Sequence, residues 1–346
     1  MSLPKTTKAW TIQGQNGFDS LVFNEQTPLP AFSDNDVLIK FHAVSLNFRD
    51  LIISLGQYPY PIPDSLIPGS DGAGEVIAVG SKVTRFAVGA RVATLFSQEH
   101  IGGELNRQTL KSALGGFRDG TLRQYGVFNE NGLVALPESL NWLEGSTLSC
   151  AALTAWNGLY GLKPLAPGDY VLTQGTGGVS TFAIQFAKAA GAIVIATTSS
   201  AAKAEGLKKL GADHVVNYKE VKNWGEVAKK LTPGGEGVDH VIEVGGASTM
   251  AQSLKSIKIG GVISIIGFVG GHSQEQPSFL EALNNMCIVR GIAIGNRGQF
   301  EDMNRAIEAN KIKPVVDKKV FKFEELKEYV LSQLLTNALL TAIQGL

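Results

Sequence analysis

Asp169-Tyr-Val-Leu-Thr-Gln-Gly-Thr-Gly-Gly-Val-Ser180 is the stretch that decides the fold. Tyr170–Thr173 has the length and the apolar, β-branched character of a buried strand, and Gly175, Gly177 and Gly178 then make a tight turn. A helix is predicted over 181–190, with Phe182, Ile184, Phe186 and Ala187 among its apolar positions. A second strand over 192–197 completes strand, helix and strand within the roughly 30 residues of a βαβ unit. Such a turn lets the backbone approach a pyrophosphate, which rests on the N–H groups of the helix N-terminus. The third glycine position of the G-x-G-x-x-G pattern is Ser180, so the pattern alone is weak. Its place between a strand and a helix points to a nicotinamide dinucleotide held by Gly175, Thr176, Gly177, Gly178 and Val179.

The composition around this segment is that of a large folded chain. At 346 residues, two domains are expected, and 44% hydrophobic against 18% charged content suits a sizeable core. The formal net charge is zero, so nothing draws the whole chain to nucleic acid or to a membrane surface. Two cysteines, Cys150 and Cys287, make no disulfide framework and suit a reducing compartment. The N-terminal Met-Ser-Leu-Pro-Lys-Thr-Thr-Lys has no apolar signal core, and no segment reaches the ~18 apolar residues of a membrane span. A cytoplasmic location is the expectation.

Residues 1–130 read as β-rich, with short strand-like runs at Ala9–Ile12, Leu21–Phe23, Asp36–Ala43, Gly74–Val79 and Arg91–Leu95 and a short helix within Val44–Leu55. Downstream, strands expected at His214–Val216, His240–Glu243, Val262–Ile266 and Val289–Ile292 alternate with helices. Those helices are expected at Ala202–Leu210, Trp224–Leu231, Ser248–Ser256 and Glu275–Asn285. Alternation of this kind implies a parallel sheet covered on both faces. Helices at 299–311 and 324–335 are expected to return to the first domain. The uncharged stretch Val330–Leu346 places Leu331, Leu334, Leu335, Ala338, Leu339 and Ala342 at helical spacing, which reads as a buried terminal helix, the alternative being a partner-facing or disordered tail.

Cofactor choice turns on the end of the second strand. An NAD site usually places Asp or Glu there to hold the ribose hydroxyls. Here Ala196-Thr-Thr-Ser-Ser-Ala-Ala-Lys203 offers no carboxylate before Glu205, whereas Ser199, Ser200 and Lys203 suit a 2′-phosphate, hence NADPH. Ser199 or Ser200 would equally serve as a helix cap. Zinc needs a set of three or four Cys, His or carboxylate ligands. The five histidines are scattered and the two cysteines lie far apart, with Cys150 in the apolar setting of a core thiol, so no zinc is expected.

Several further segments carry a resemblance. Val44-Ser-Leu-Asn-Phe-Arg-Asp50, Gly56-Gln-Tyr-Pro59, Pro68-Gly-Ser-Asp-Gly-Ala-Gly74, Ala151-Ala-Leu-Thr-Ala-Trp156, Gly175–Ser180 and Leu210-Gly-Ala-Asp-His-Val-Val-Asn-Tyr218 follow one another in order. Over nearly its whole length the chain resembles the medium-chain dehydrogenase/reductase superfamily, specifically its zinc-free quinone-oxidoreductase and enoyl-reductase branch. The resemblance implies an α/β fold: a Rossmann doubly wound parallel sheet over 131–292, plus a β-rich GroES-like substrate domain from 1–130 and 293–346. Zinc alcohol dehydrogenases of the superfamily have Cys where Asn47 stands and Gly-His-Glu where Gly69-Ser70-Asp71 stands, so both ligand positions are lost. The family's Gly-Lys-containing last strand is replaced here by the uncharged Leu334–Leu346.

By resemblance, Tyr58 matches the hydrogen-bond donor of mitochondrial enoyl reductases, and Asn47 lies near the nicotinamide and the substrate carbonyl. Thr154 approaches the nicotinamide, Gly267-Phe268 contacts its carboxamide, and Tyr218 meets the adenine or 2′-phosphate. Each has a plainer reading: Tyr58 packing a Pro-rich loop, Asn47 capping a helix, Thr154 bonding back to a helix carbonyl, Tyr218 packing at a strand end. Arg49 and Asp50 suit a local ion pair orienting their segment. The implied protein is a cytoplasmic, homodimeric, zinc-independent NADPH-dependent reductase. Its small-molecule substrate carries an activated C=C bond (enone, 2-alkenal or enoyl thioester) or is a quinone. The competing readings are a metal-free carbonyl or alcohol oxidoreductase and a non-catalytic NADPH-binding protein of crystallin-like or RNA-binding type.

Overall fold

The computed structural model describes residues 3–271, 273, 276–328, 330–331 and 342–344. They form two compact units, one running to Leu153 and resuming at Asn296, the other spanning Thr154–Gly295. In the first, β1 (Thr6–Ile12) pairs antiparallel with β2 (Leu21–Pro28). The strands β3 (Asp36–Ser45), β4 (Asp71–Val79), β5 (Arg91–Thr94), β6 (Tyr125–Asn129) and β7 (Leu133–Ala135) build a larger antiparallel sheet. Ten-residue β3 is its spine, pairing with β4 on one side and β6 on the other. Val37, Ile39, Phe41 and Val44 of β3 are buried with Val76, Val92, Phe128 and Leu133, and Phe41 meets Phe128 edge-on at 5.8 Å. Each such side chain taken from water contributes roughly 1.5–3 kcal/mol. The sequence reading omits β6 and β7, because Gly126 interrupts one and the other has three residues.

The second unit is a six-stranded parallel sheet of β8 (Tyr170–Gln174), β9 (Ile193–Thr198), β10 (His214–Asn217), β11 (Val238–Glu243), β12 (Ile257–Ile265) and β13 (Ile288–Gly291). Their order is β10-β9-β8-β11-β12-β13. Every residue of β11 is buried, as is all of β8 after Tyr170, which is the signature of strands covered on both faces. The order reverses between β8 and β11, the switch point at which doubly wound sheets bind ligands.

The helix expected over Glu275–Asn285 is shorter. Pro277 bars the helical conformation at Gln276, the helix covers only Glu281–Asn284, and Met286 at φ 47° ends the turn; Glu275 lies outside the described residues. In place of the helix 299–311 the structure has Arg297–Asn310, capped by Asn296, whose side chain accepts from Gln299 N–H. The helix expected over 324–335 is present over 326–328 and 330–331, after a 3-10 turn at Phe323–Glu325; 332–335 lie outside the described residues.

The chain also contributes β14 (Phe321–Lys322) and β15 (Ala342–Gln344) to the larger sheet of the first unit, giving the order β14-β15-β3-β4-β5-β7. Ala342, expected on a helical face, is therefore in a strand. β15 runs antiparallel to β3 with Ile343 opposite Val44, and Ile343 is fully buried. An uncharged segment serves here because the strand pairs on both sides inside the sheet. Leu334, Leu335, Ala338 and Leu339 lie outside the described residues.

Candidate active site

In the parallel unit the glycine turn has the form a pyrophosphate needs. Gly175 takes φ +74°, open to glycine at little cost, and Gly177 is the N-cap of the helix Gly178–Ala189 with no side-chain cap. A Cβ at Gly177 would meet nothing within 4 Å, so the space beside the turn is open. The first helical bond runs from Thr181 N–H to Gly177 C=O, which leaves the preceding N–H groups of Gly178, Val179 and Ser180 at the positive end of the helix. Ser180, at the third glycine position, turns its hydroxyl back to donate to Gln174 C=O at 2.6 Å and is buried. The departure from glycine thus ties strand to helix. Thr176 and Val179 flank the turn half-buried.

A network absent from the sequence reading braces this turn. Gln174, last residue of β8, donates from Nε2 to Glu243 Oε2 at 2.7 Å and to Ser253 Oγ at 2.8 Å. Its Oε1 accepts from Val244 N–H at 3.1 Å and Gly245 N–H at 3.2 Å. Glu243, fully buried at the end of β11, accepts from Gly245 and Gly246 N–H, both at 2.9 Å, and from the hydroxyls of Thr249 and Ser253. A buried carboxylate satisfied this way fixes the loops on both sides of the switch point. The segment after β12 is zipped to the same loop, with Val269 N–H on Val244 C=O and Gly270 N–H on Gly245 C=O. Gly267 and the half-exposed Phe268 sit in that zipped segment. The only sequence signal would have been a polar Gln and Glu each ending an apolar strand.

At the end of β9, Ser200 caps the helix Ala201–Leu210, its Oγ accepting from Lys203 N–H at 3.3 Å. The capping reading is therefore realised at Ser200, while Ser199 is half-buried beside it and the Lys203 side chain is exposed. Glu205, the first carboxylate, pairs with Lys208 at 3.0 Å on the helix surface. Thr198 Oγ1 is buried without a partner among the described residues, and Tyr218, whose N–H bonds Thr198 C=O, is 39% exposed. Thr154 does not bond back to a helix carbonyl: its Oγ1 is buried and, among the described residues, has no partner. An orphaned hydroxyl of this kind costs ~1–3 kcal/mol unless a ligand completes it. The turn, the open N-terminus and these hydroxyls fit a nicotinamide dinucleotide.

In the antiparallel unit, Asn47 is the N-cap of the helix Phe48–Ser54, and Asp50 Oδ2 accepts from Asn47 N–H at 2.8 Å. Asn47 Nδ2 is buried and has no partner among the described residues. The ion pair expected between Arg49 and Asp50 is absent among the described residues. Arg49 instead donates to Leu114 C=O at 2.7 Å and lies over the rings of Phe96 at 4.6 Å and Tyr58 at 5.4 Å, where a planar cation gains from two aromatic faces. Tyr58 is half-buried on the core and edge-on to Tyr60 at 5.5 Å, so its packing role is real; among the described residues its hydroxyl makes no hydrogen bond.

Ser70 and Asp71 are committed to each other and to the backbone at Cys150, an arrangement that does not fit a zinc site. Ser70 Oγ donates to Asp71 Oδ1 at 2.5 Å, and Cys150 N–H donates to Oδ2 at 2.9 Å. Both carboxylate oxygens are occupied, and burial pushes the Asp71 carboxyl up to about 7. Burial also raises the Cys150 thiol well above its usual range, with the Asp71 charge adding to it, so this half-buried group stays protonated near neutral pH. Asp50 is likewise raised by burial. Among the described residues no group of three or more His, Cys, Asp or Glu side chains is placed to hold a metal ion.

A GroES-like antiparallel sheet and a Rossmann-type parallel sheet with a glycine turn at its switch point are the two parts of an oxidoreductase of the medium-chain type. The chain belongs to the medium-chain dehydrogenase/reductase superfamily: its residues 33–138 match the alcohol dehydrogenase GroES-like domain and 178–309 the zinc-binding dehydrogenase family. It is 46% identical over 318 residues to a zinc-type alcohol dehydrogenase-like protein of Schizosaccharomyces pombe, covering 90% of this chain and 91% of that one. It is 30% identical over 323 residues to the NADPH-dependent alkenal/one oxidoreductase of Arabidopsis thaliana chloroplasts, covering 92% and 74%. A crystal structure from Sinorhizobium meliloti 1021 described as an alcohol dehydrogenase superposes with a TM-score of 0.90 at 37% identity, covering 99% and 100%.

Proposed function

We propose that this protein is a zinc-independent, NADPH-dependent reductase of activated C=C bonds (enones, 2-alkenals or enoyl thioesters) or of quinones. The observation that carries the reading is the state of Asp71 and Asn47. Both oxygens of the Asp71 carboxyl accept from Ser70 and Cys150, and Asn47 keeps a buried donor without a partner among the described residues. When bound, the nicotinamide supplies the hydride. Addition at the β-carbon of a conjugated carbonyl builds negative charge on oxygen, and a preorganised donor stabilises that charge. Asn47 Nδ2 and the Tyr58 hydroxyl are the donors this unit offers, and Tyr58 is the one with a proton to give. Selection of NADPH rests on Ser199, Ser200 and Lys203 together with Tyr218, whose N–H bonds Thr198 C=O, and the first carboxylate of the segment, Glu205, is engaged by Lys208. The relationship to the alkenal/one oxidoreductase supports the substrate class.

The same reading includes a homodimer and a cytoplasmic location. β13 is the outer strand of the parallel sheet and exposes Ile288 and Val289, with Phe279 (87% exposed), Leu283 and Met286 bare in the residues leading to it. An apolar strand edge left unpaired invites pairing with a second copy. Both cysteines are free, and no described helix is long and apolar enough to cross a membrane.

The test is oxidation of NADPH and NADH against cyclohexenone, a 2-alkenal, an ortho-quinone and a simple aldehyde, with and without a chelator. Chelator-insensitive, NADPH-selective turnover of the conjugated acceptors is expected. Turnover of the aldehyde alone would favour a metal-free carbonyl reductase, and tight NADPH binding without turnover would favour a non-catalytic role.

A further inference from the structure

A cavity of about 650 Å³ lies within the antiparallel unit, and none of Asn47, Arg49, Tyr58 or Asp71 lines it. Its apolar wall is formed by Ile101, Leu114, Val127 and Phe128. Arg123, also in the lining, is only 3% exposed and lies with its guanidinium 4.9 Å from the Phe128 ring centre. Among the described residues no hydrogen bond or ion pair reaches the Arg123 side chain, and its Nε is buried without a partner.

The two carboxylates in the lining do not supply one. Asp119 Oδ1 accepts from Ile67 N–H at 3.0 Å and acts on Arg123 only through its field. Glu99 is paired with Arg118, whose guanidinium holds the carboxyl below its usual range. Burial draws Arg123 down to about 10, so it remains a cation at neutral pH. A buried charge lacking a partner costs several kcal/mol, and a guanidinium with no acceptor beside a cavity of ligand size (roughly 300–1,000 Å³) is the arrangement of an anion site.

We propose that this cavity binds a small organic carboxylate, its carboxylate on the Arg123 guanidinium and its aromatic or aliphatic body against Leu114, Val127 and Phe128. A planar monoanion matches the single free fork bidentately. The other cation of the lining, Arg118, is held by Glu99, so a phosphate dianion would face Asp119 with Arg123 alone to balance it. The site is independent of the proposed reduction.

Calorimetric titration of the full-length protein with benzoate and with hexanoate tests this, with benzamide and inorganic phosphate as controls. Saturable one-to-one binding of at least one acid is expected, with both controls weaker by at least about tenfold. The affinity should fall by about tenfold or more in Arg123→Met and stay unchanged in Tyr58→Phe. Equal affinity in Arg123→Met, loss of binding in Tyr58→Phe, phosphate binding as tight as the acids, or no saturation by either acid would each overturn the assignment. Should Arg123→Met fail to fold, a crystal of the wild-type protein with 4-bromobenzoate decides: bromine density within the cavity supports the site, and density elsewhere or none overturns it.

Discussion

Asp71 shows how burial, working against two hydrogen bonds, sets the proton affinity of one residue. Its carboxyl, raised by burial from 3.8 to about 7, binds a proton more tightly in the folded than in the unfolded chain. The sign follows from linkage: its contribution is fully present below about pH 4 and falls as pH rises toward about 7, on the order of 1–4 kcal/mol in all. Asp71→Asn keeps a carbonyl for Cys150 N–H and a donor for Ser70 Oγ. Denaturant unfolding of the variant should therefore lack this decline, gaining on the wild type across that window, and parallel pH profiles would refute the account. Tyr58→Phe removes a hydroxyl that makes no hydrogen bond among the described residues, so folding stability should hold while kcat on a conjugated acceptor drops by about 10²-fold or more; unchanged kcat excludes Tyr58 as donor. Lys203 is exposed at the first turn of its helix, and Lys203→Ala should raise the KM for NADPH by about tenfold with little change for NADH. Equal KM values for NADPH before and after the change would remove Lys203 from the cofactor site.

At the scale of elements, the turn from β8 into the helix Gly178–Ala189 separates what local sequence encodes from what it does not. The apolar run, the glycines and the following helix were legible because each follows from local conformational preference. Gln174 and Glu243 were not legible as partners: they lie at the ends of adjacent parallel strands 69 residues apart, and only the strand order brings them together. The same limit explains β15, where Ala342 matches a helical spacing but Ile343 is drawn into a ladder with Val44. In the candidate site the residue types at Asn47, Tyr58 and Thr154 were readable, yet that Asn47 Nδ2 and Thr154 Oγ1 lack partners depends on neighbours distant in sequence. Gly177 gives this scale its prediction. At φ −72° and with nothing near a Cβ, Gly177→Ser is conformationally free and offers a favoured N-cap. Melting temperature should hold or rise slightly, while the Kd for NADPH rises at least about tenfold because the side chain fills the approach to the helix N-terminus. Retained affinity would show that the pyrophosphate rests elsewhere.

For the whole molecule the open question is what covers β13. An outer strand needs protection from pairing, commonly a charge, a proline or a covering element. β13 carries Arg290, whose side chain bonds Asn157 Oδ1 at 2.9 Å within its own unit, so its charge is not free to guard the edge. Ile288 and Val289 are bare, and Leu283 and Met286 extend the patch to the turn before the strand. In the proposed dimer, two copies related by a two-fold axis would bring these edges together antiparallel, the geometry in which each residue meets its equivalent in the other subunit. Like charges placed opposite one another at such a junction repel, so Val289→Lys opposes pairing twice over, through charge and through lost apolar area. Because Val289 is 37% exposed on an outer strand, the lysine reaches water in a separated subunit and the fold should survive. Sedimentation velocity should show the wild type as a dimer and Val289→Lys as a monomer with an unchanged circular dichroism spectrum. A wild type that sediments as a monomer, or a variant that remains dimeric, would mean that a second copy is not what covers this edge.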